Sequence, residues 1–337
     1  MRSDRPQAFL LAAGLGTRAR PLTDFRPKVL FPVAGVAALH LHLASIRAAG
    51  IPEIGINLHH LAEDVERALA SLADRGLRVA AFREERLLGT GGGLLHARPF
   101  LGRSPLLVRN ADVVLGEDLR VLLRAHEAHR RRGGLATLLL SATAPLEVFG
   151  GFAVNPDGSV LAHVRRDSAP PPGTRAYVYA SAAVVEPRLL DRLESAGPAP
   201  DLVRDGLLPA LRDGEALRAV LTSRLFGHIG RPEDYLATVV GVLLGGLPPR
   251  ILRDARALAG AGSARVLPPS GRWIAPDSRV HPTARLGHFV AIESRARVPR
   301  GAILHRAVVW EGVRLREGER LEGAVACDNA RVGAAGA

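Results

Sequence analysis

Residues 11–35 read LAAGLGTRARPLTDFRPKVLFPVAG. The apolar residues 8–13 run directly into the first glycine of this stretch, which is typical of a buried parallel strand that leads into a loop. Further along, Lys28 is the only lysine among the 45 basic residues of the chain. A chain that uses arginine everywhere else but keeps one lysine here indicates a need for a compact point charge at this position.

The loop after the predicted strand has the composition of a phosphate-binding loop. Gly14 and Gly16 have no side chains, so backbone N–H groups of the loop can approach an anionic ligand closely. Arg18 supplies a guanidinium that can bind two phosphate oxygens at once, and Lys28 supplies a second positive charge. We therefore predict that residues 11–28 bind a polyphosphate.

Around this loop, short apolar runs alternate with segments of helical periodicity. The alternation predicts an α/β fold with an open, mostly parallel sheet. Ligands of such sheets bind at the carboxyl ends of the strands, where Gly14 and Asp112 fall. The predicted strands are residues 54–58, 79–82, 106–108 and 136–141, and the predicted helices are residues 36–49, 62–75, 117–132 and 232–244.

The C-terminal part has a different pattern, because apolar residues recur there every six positions. This period, with small and turn-forming residues between the apolar positions, predicts a β-helix of about three coils. We expect a main domain over residues 1–245, a linker over 246–271 and the β-helix over 272–337. The periodic residues are Ile274, Val280, Leu286, Ile292, Val298, Leu304 and Trp310, followed after a one-residue slip by Leu315 and Leu321.

Composition narrows the class of protein. The net charge is +12, but the arginines are interleaved with acidic residues and aromatic residues make up only 4%, so we do not expect nucleic-acid binding. The single cysteine, Cys327, excludes an intrachain disulfide and is typical of a reducing compartment. The longest apolar run, residues 239–247, is about half the length of a membrane span. We expect a cytoplasmic protein that does not bind membranes.

The 25-residue stretch resembles the signature of the sugar-1-phosphate nucleotidyltransferases, LAAGxGTRxxPLTxxxPKxLxPVxG, and matches it without a gap. The two-part layout is most similar to mannose-1-phosphate guanylyltransferase-type NDP-sugar synthases. This resemblance implies a Rossmann-like nucleotidyltransferase domain with a left-handed β-helix behind it. It also implies the reaction of a nucleoside triphosphate with a sugar 1-phosphate, which gives an NDP-sugar and pyrophosphate.

The resemblance also assigns roles to individual residues. Glu84 matches the position that faces the base edge, and a carboxylate there favours guanine, because it can accept both N1–H and N2–H. The implied catalytic residues are Arg18, Lys28 and Asp112. The implied nucleotide-binding residues are Leu11, Ala12, Ala13, Gly14, Gly16, Thr17, Glu84, Gly89, Thr90 and Asn110, and those for the sugar phosphate are Gly151, Arg166 and Ser181.

The metal site implied by the resemblance departs from the family pattern. Asp112 matches the aspartate that binds Mg²⁺, whereas His228 stands where relatives carry a second acidic ligand. Neutral imidazole brings no negative charge and suits softer divalent metals, so we expect Mg²⁺ or another divalent ion at Asp112, with His228 as the second candidate ligand. The other histidines, including His126 and His129, are predicted to be solvated.

The expected function is therefore the synthesis of an NDP-sugar from a nucleoside triphosphate, with GTP favoured, and mannose 1-phosphate or a related sugar 1-phosphate. Because of His228, a binding or regulatory subunit without efficient turnover is an alternative. A uridylyltransferase or thymidylyltransferase of the same fold is another. We also expect the β-helix to mediate homo-oligomer formation, because its end coil is exposed.

Overall fold

The computed structural model describes residues 6–73, 75, 77–260, 271–328 and 330–333. These residues form two compact units, and the chain passes between them several times. The first unit comprises the described parts of Met1–Gly14, Ser45–Ala111 and Glu117–Phe226. The second comprises the described parts of Leu15–Ala44, Asp112–Gly116 and Gly227–Ala337. The domain limits at residues 245 and 271 stay a prediction, and positions 261–270 of the predicted linker lie outside the described residues.

The chain contains strands and helices in alternation. The strands are β1 (Gln7–Leu11), β2 (Pro32–Val33), β3 (Val36–Ala37), β4 (Ile54–Leu58), β5 (Val79–Arg83), β6 (Leu106–Asn110), β7 (Val113–Leu115), β8 (Ala136–Ser141), β9 (Gly151–Val154), β10 (Val160–Val164), β11 (Arg175–Val185), β12 (Leu217–Thr222), β13 (Phe226–His228), β14 (Arg272–Ile274), β15 (Arg279–Val280), β16 (Arg285–Leu286), β17 (Val290–Ile292), β18 (Arg297–Val298), β19 (Ile303–Val309), β20 (Arg320–Cys327) and β21 (Ala330–Gly333). The α-helices are α1 (Leu22–Phe25), α2 (Ala38–Ala48), α3 (Ala62–Ala73), α4 (Gly89–His96), α5 (Leu119–Arg130), α6 (Leu146–Phe149), α7 (Arg188–Glu194), α8 (Leu208–Arg212), α9 (Pro232–Leu243) and α10 (Pro249–Ala259). Single 3₁₀ turns cover Thr17–Ala19 and Lys28–Leu30, and a π-helical segment covers Leu202–Leu207.

The first unit is built on a nine-stranded mixed sheet with the order β10-β9-β11-β6-β1-β4-β5, to which β8 and β12 are joined through β11. Only β10 and β11 run opposite to the other seven strands. The α/β class with a mostly parallel sheet is thus confirmed. The strand β1 is buried along its whole length, as expected for a central parallel strand.

One histidine prediction for this unit was wrong. His126 is buried, and its two ring nitrogens lie 3.0 Å from Thr137 Oγ1 and 3.0 Å from Glu186 Oε1. It lies on the same face of α5 as the buried Leu119 and Leu122. The helical spacing of these three residues places His126 on the core side, where its nitrogens need protein partners.

In the second unit, the C-terminal strands pair in parallel with partners 17 or 18 positions away. Arg272 pairs with Val290, for example, and Val290 pairs with Ala307. Three six-residue repeats give this separation, so the pairing agrees with the predicted β-helix, whereas its left-handed sense stays a prediction. Periodic residues from Ile292 onward are buried, but Ile274 at the start is 37% exposed. The strands β20 and β21 pair antiparallel, and positions 334–337 lie outside the described residues.

Two smaller sheets complete the second unit. The strands β2 and β3 form a hairpin around Ala34 and Gly35, and β7 pairs with β13. Pro232 occupies the first turn of α9, where a missing N–H costs nothing. Among the described residues, no helix has both the length and the apolar composition needed to cross a bilayer.

Glu293 is a buried acid that directly follows the strand β17. It is 4% exposed, and its Oε1 accepts a hydrogen bond from the backbone N–H of Gly35 at 3.2 Å. Burial raises the pKa of Glu293 to about 7, although the Gly35 N–H and the Arg26 guanidinium oppose the shift and Glu311 adds to it. The folded state therefore holds the proton more tightly than the unfolded state does.

We predict that Glu293→Gln stabilises the protein at alkaline pH only. A raised acid pKa gives stability that is full below the ordinary value of 4.5 and is lost as the pH rises through about 7. Glutamine keeps an acceptor for Gly35 and stays neutral, so its advantage should reach at most about 3 kcal/mol at high pH. Thermal unfolding near about pH 5 and about pH 8.5 measures this difference.

The matched control is Glu322→Gln, since Glu322 is exposed on the neighbouring strand β20. This variant should follow the wild type at both pH values. Equal pH responses of the wild type and Glu293→Gln would contradict the assignment of a raised pKa to Glu293.

Candidate active site

The first unit carries the start of the glycine loop at the carboxyl end of β1. Leu11 is the register partner of Asn110 on β6, and its carbonyl accepts the N–H of Ala111 at 2.9 Å. Ala12 donates its N–H to Asn57 Oδ1 at 2.7 Å. Leu11, Ala12 and Asn110 therefore lie together at one edge of the sheet, as their positions at strand ends predict.

Gly14 is exposed at the end of this segment, after the buried Ala13. A side chain at Gly14 would meet no protein atom within 4 Å, so packing does not require glycine there. That glycine stands there to let a ligand approach the backbone closely stays a prediction.

The Glu84 carboxylate holds two loops of the first unit. It is 4% exposed, its Oε1 accepts from Asn57 Nδ2 at 2.8 Å, and its Oε2 accepts from the N–H of Leu88 at 3.1 Å. Through Asn57 it is linked to Ala12 of the glycine loop, and through Leu88 to the loop before Gly89. Both carboxylate oxygens thus already have protein donors, and a contact of Glu84 with a base stays a prediction.

The glycines after Glu84 make room for another part of the same chain. The N–H of Gly91 donates to Pro200 O at 2.8 Å, and a Cβ at Gly89 would lie 2.6 Å from that oxygen. Thr90 Oγ1 donates to Asp201 Oδ2 at 2.9 Å. The glycines of this segment thus allow its backbone to approach residues 199–201 closely.

The residues assigned to the sugar phosphate lie on neighbouring strands of the first unit. Gly151 on β9 pairs with Val164 at the end of β10, and the exposed Arg166 follows two residues later. Ser181 lies at a register shift in β11 and has a φ of 55°, in the left-handed region. Such a conformation costs a serine roughly 1 kcal/mol relative to glycine.

The second unit carries the rest of the glycine loop. Gly16 has a φ of 68°, and a Cβ there would lie 2.6 Å from Thr23 Cγ2, so both its conformation and its contacts require glycine. The hydroxyl of Thr23 donates to Gly16 O at 3.0 Å. Thr17 and Arg18 follow in a 3₁₀ turn with exposed side chains.

Lys28 and Asp112 form an ion pair in the second unit. Lys28 Nζ lies 3.8 Å from Asp112 Oδ2, and the side chains are 13% and 32% exposed. Burial lowers the pKa of Lys28; the Asp112 carboxylate opposes this, and the Arg18 guanidinium adds to the lowering. A partly desolvated ammonium acts on a nearby charge more strongly than one in bulk water, so Lys28 is suited to neutralising a phosphate.

His228 lies beside this pair and is held by a second carboxylate. Its Nδ1 is 3.1 Å from Asp234 Oδ2, and its Nε2 is 3.9 Å from Asp112 Oδ2. When Nδ1–H donates a hydrogen bond to Asp234, Nε2 carries the lone pair. Histidines that bind a metal commonly have this arrangement, with the other ring N–H donated to a carboxylate. Within the described ranges, no group of three or more histidine, cysteine, aspartate or glutamate side chains could hold a metal on its own.

Sequence reasoning missed Asn57, Asp201 and Asp234 as site residues. Asn57 had a signal, because it is a polar residue at the end of the apolar strand β4, where ligand-site residues of such sheets occur. Nothing in the sequence near Asp201 indicates its role, since its partner Thr90 is 111 positions away. Asp234 follows His228 by six positions, and only the fold brings the two side chains together.

Comparison with known proteins identifies a matching family model and several relatives of this chain. The family model described as nucleotidyl transferase matches residues 7–237. The chain is 28% identical to a mannose-1-phosphate guanylyltransferase of Mycobacterium tuberculosis, over 94% of this chain and 83% of that protein. It is 32% identical to an N-acetylmuramate alpha-1-phosphate uridylyltransferase of Caulobacter vibrioides, over 68% and 94% respectively. A probable mannose-1-phosphate guanylyltransferase of Oryza sativa is 26% identical over 92% of this chain and 83% of its own length.

We predict that Glu84→Gln weakens binding of guanosine and uridine triphosphates to a similar degree. Glutamine loses one of the two acceptors that hold Asn57 and Leu88, so both loops shift whichever base is bound. The loss of a charged hydrogen bond corresponds to roughly a 10-fold rise in Kd. Titration calorimetry of the wild type and the variant with each nucleotide measures this change in Kd.

The exposed neighbour Glu85 supplies the control, since Glu85→Gln should leave both affinities unchanged. A rise in Kd confined to the guanosine nucleotide would instead show that Glu84 contacts the base, and that its contacts with Asn57 and Leu88 matter less for binding.

Proposed function

This chain belongs to the nucleotidyltransferase family and is a sugar-1-phosphate nucleotidyltransferase, and we propose that it is a guanylyltransferase that uses mannose 1-phosphate. Its products would be GDP-mannose and pyrophosphate. The observation that carries this choice is the extent of similarity. The guanylyltransferases from Mycobacterium tuberculosis and Oryza sativa match 94% and 92% of the chain, C-terminal strands included.

The competing choice is a uridylyltransferase. The N-acetylmuramate alpha-1-phosphate uridylyltransferase of Caulobacter vibrioides is slightly more similar in identity but matches only 68% of this chain. We do not base the choice of guanine on Glu84, because both of its oxygens already accept hydrogen bonds from Asn57 and Leu88. The proposal for guanine therefore rests on whole-chain similarity.

In the proposed reaction, a phosphate oxygen of the sugar 1-phosphate attacks the α-phosphorus of GTP. A new P–O bond forms there, while the bond from the α-phosphorus to the bridging oxygen of the β-phosphate breaks. Pyrophosphate leaves with the electron pair of that bond, and no covalent enzyme intermediate is formed. Catalysis of such a displacement depends mainly on orientation and on charge stabilisation.

The residues of the second unit supply the charge in this proposal. Lys28 would bind the α-phosphate oxygens, where negative charge develops, and Arg18 together with the N–H groups near Gly16 would bind the leaving pyrophosphate. A preorganised donor of this kind typically contributes a factor of about 10²–10³ to the rate. In the first unit, residues 11–14, Gly89, Thr90 and Asn110 would bind the nucleotide.

Mg²⁺ fits the donors that the second unit offers. Asp112 is a carboxylate with a partly exposed oxygen, and Mg²⁺ commonly takes one or two carboxylates and completes its shell with water and substrate phosphates. Asp112 would hold the ion, with His228 Nε2 as the second protein ligand. Bound there, the ion would neutralise phosphate charge.

For the sugar phosphate, we propose contacts from Gly151, Arg166 and Ser181 of the first unit. Arg166 is exposed and can bind a phosphate with two N–H groups, whereas a lysine would offer a single charged group. In this proposal the acceptor sugar must accommodate the hydroxymethyl side chain of Ser181.

The test is pyrophosphate release by the full chain. GTP, UTP and dTTP are each paired with mannose 1-phosphate, glucose 1-phosphate and N-acetylmuramate 1-phosphate, with Mg²⁺, with Mn²⁺ and after chelation. The proposal predicts the highest kcat/KM for GTP with mannose 1-phosphate and no release after chelation.

Other outcomes of this panel would overturn the proposal. A higher kcat/KM for UTP with any acceptor would make the protein a uridylyltransferase. No release with any pair, together with measurable binding of GDP-mannose, would support the regulatory alternative that His228 suggested. Release that survives chelation would exclude the metal role of Asp112.

A further inference from the structure

The segment that carries Lys28 has little local structure of its own. Lys28 starts a single 3₁₀ turn, in which the N–H of Leu30 donates to Pro27 O at 2.8 Å and that of Phe31 to Lys28 O at 3.0 Å. One turn with two hydrogen bonds does not persist in isolation. The position of Lys28 therefore depends on contacts with other parts of the second unit.

Trp310 and Tyr235 supply one set of these contacts. Tyr235 donates its hydroxyl hydrogen to Pro32 O at 2.5 Å, and Trp310 donates its Nε1–H to the Tyr235 oxygen at 3.1 Å. The ring of Phe31 lies 5.1 Å from the Tyr235 ring and 5.2 Å from the Trp310 ring. All three aromatic side chains are buried, so loss of the Trp310 donor leaves an acceptor lone pair of the Tyr235 oxygen unsatisfied.

Glu293 forms a second contact, a hydrogen bond at the end of the same segment. Its Oε1 accepts the N–H of Gly35 at 3.2 Å. Gly35 has a φ of 91°, and a Cβ there would overlap the indole of Trp273, the other tryptophan of the C-terminal strands. The backbone from Phe31 to Gly35 is thus held at both ends by buried side chains.

The same tyrosine also belongs to the element that carries the carboxylate beside His228. Tyr235 directly follows Asp234 in α9, and Asp234 Oδ2 lies 3.1 Å from His228 Nδ1. A shift of Tyr235 therefore affects both the Lys28 segment and the first turn of α9. Trp310 contacts Tyr235 and Phe31 but lies outside the set of residues assigned to the substrates.

We propose that Trp310 and Glu293, which directly follow the strands β19 and β17, are positioning residues that set the place of Lys28 relative to Asp112. They act through Tyr235 and through the backbone of residues 31–35. These two residues of the β-helix segment then support the geometry of the catalytic pair, whereas the rest of the segment does not. This inference rests on the proposed function as far as rates are concerned, but the contacts that carry it do not depend on the identity of the substrates.

The decisive variants remove a buried hydrogen bond and leave a bulky apolar side chain at the same position. Trp310→Phe deletes the Nε1–H donor, and Glu293→Leu deletes the acceptor for Gly35. Each should lower kcat by about 10-fold, while KM for the nucleoside triphosphate changes less than about 2-fold, because one buried hydrogen bond is lost away from the nucleotide loops. Glu293→Gln, which keeps an acceptor, should recover the wild-type kcat.

A stability control separates positioning from general damage. Leu321→Ala empties a buried site on β20 outside this chain of hydrogen bonds, and should lower Tm by at least as much as Trp310→Phe while leaving kcat unchanged. Unchanged kcat in Trp310→Phe and Glu293→Leu would overturn the inference. So would an equal loss of kcat in Leu321→Ala.

A second readout does not need activity. Because Lys28 is the only lysine, protein made with ¹³Cε-lysine shows a single lysine side-chain resonance. Trp310→Phe should move this resonance and Leu321→Ala should not. If the wild type releases no pyrophosphate with any substrate pair, the proposed function fails, and this spectrum alone decides the inference. A resonance that stays in place in Trp310→Phe would then overturn it.

Discussion

The ion pair between Lys28 and Asp112 is the interaction on which the proposed chemistry of this protein depends. Its two side chains come from parts of the chain 84 positions apart, and Nζ and Oδ2 are 3.8 Å apart. At this distance the pair is weaker than a direct hydrogen-bonded salt bridge, so the ammonium keeps capacity for a phosphate. Burial disfavours the charged form of Lys28, whereas Asp112 favours it. A small displacement of either side chain therefore shifts the pKa of Lys28.

Two buried polar networks position the proposed ligand-binding residues, one in each unit. In the first unit, Asn57 and Glu84 join the glycine loop to the loop before Gly89. In the second unit, Tyr235 and Trp310 hold the backbone that follows Lys28. Networks of this kind fix a geometry because an unpaired polar atom in the core is costly. A glycine-rich backbone is flexible by itself, so such a loop is made rigid by these contacts.

Much of the fold could be predicted from the sequence, because the signals were local and periodic. The apolar run before Gly14 predicted β1, and the six-residue period predicted parallel pairing in the C-terminal strands. Contacts between distant positions could not be predicted. Glu84 has a partner 27 positions away, and the hydrogen bond between Trp310 and Tyr235 spans 75 positions. His126 was predicted to be solvated because it is polar, whereas its helical spacing from Leu119 and Leu122 puts it in the core.

The most direct test of the central ion pair is a titration of Lys28 by ¹³C NMR in metal-free protein, which is feasible because the chain has a single lysine. We predict a pKa of Lys28 below the ordinary value of 10.5 in the wild type. We predict a still lower pKa in Asp112→Asn, because the carboxylate that raises it is gone. A pKa at or above the ordinary value, or one that Asp112→Asn leaves unchanged, would contradict the pairing of Lys28 with Asp112.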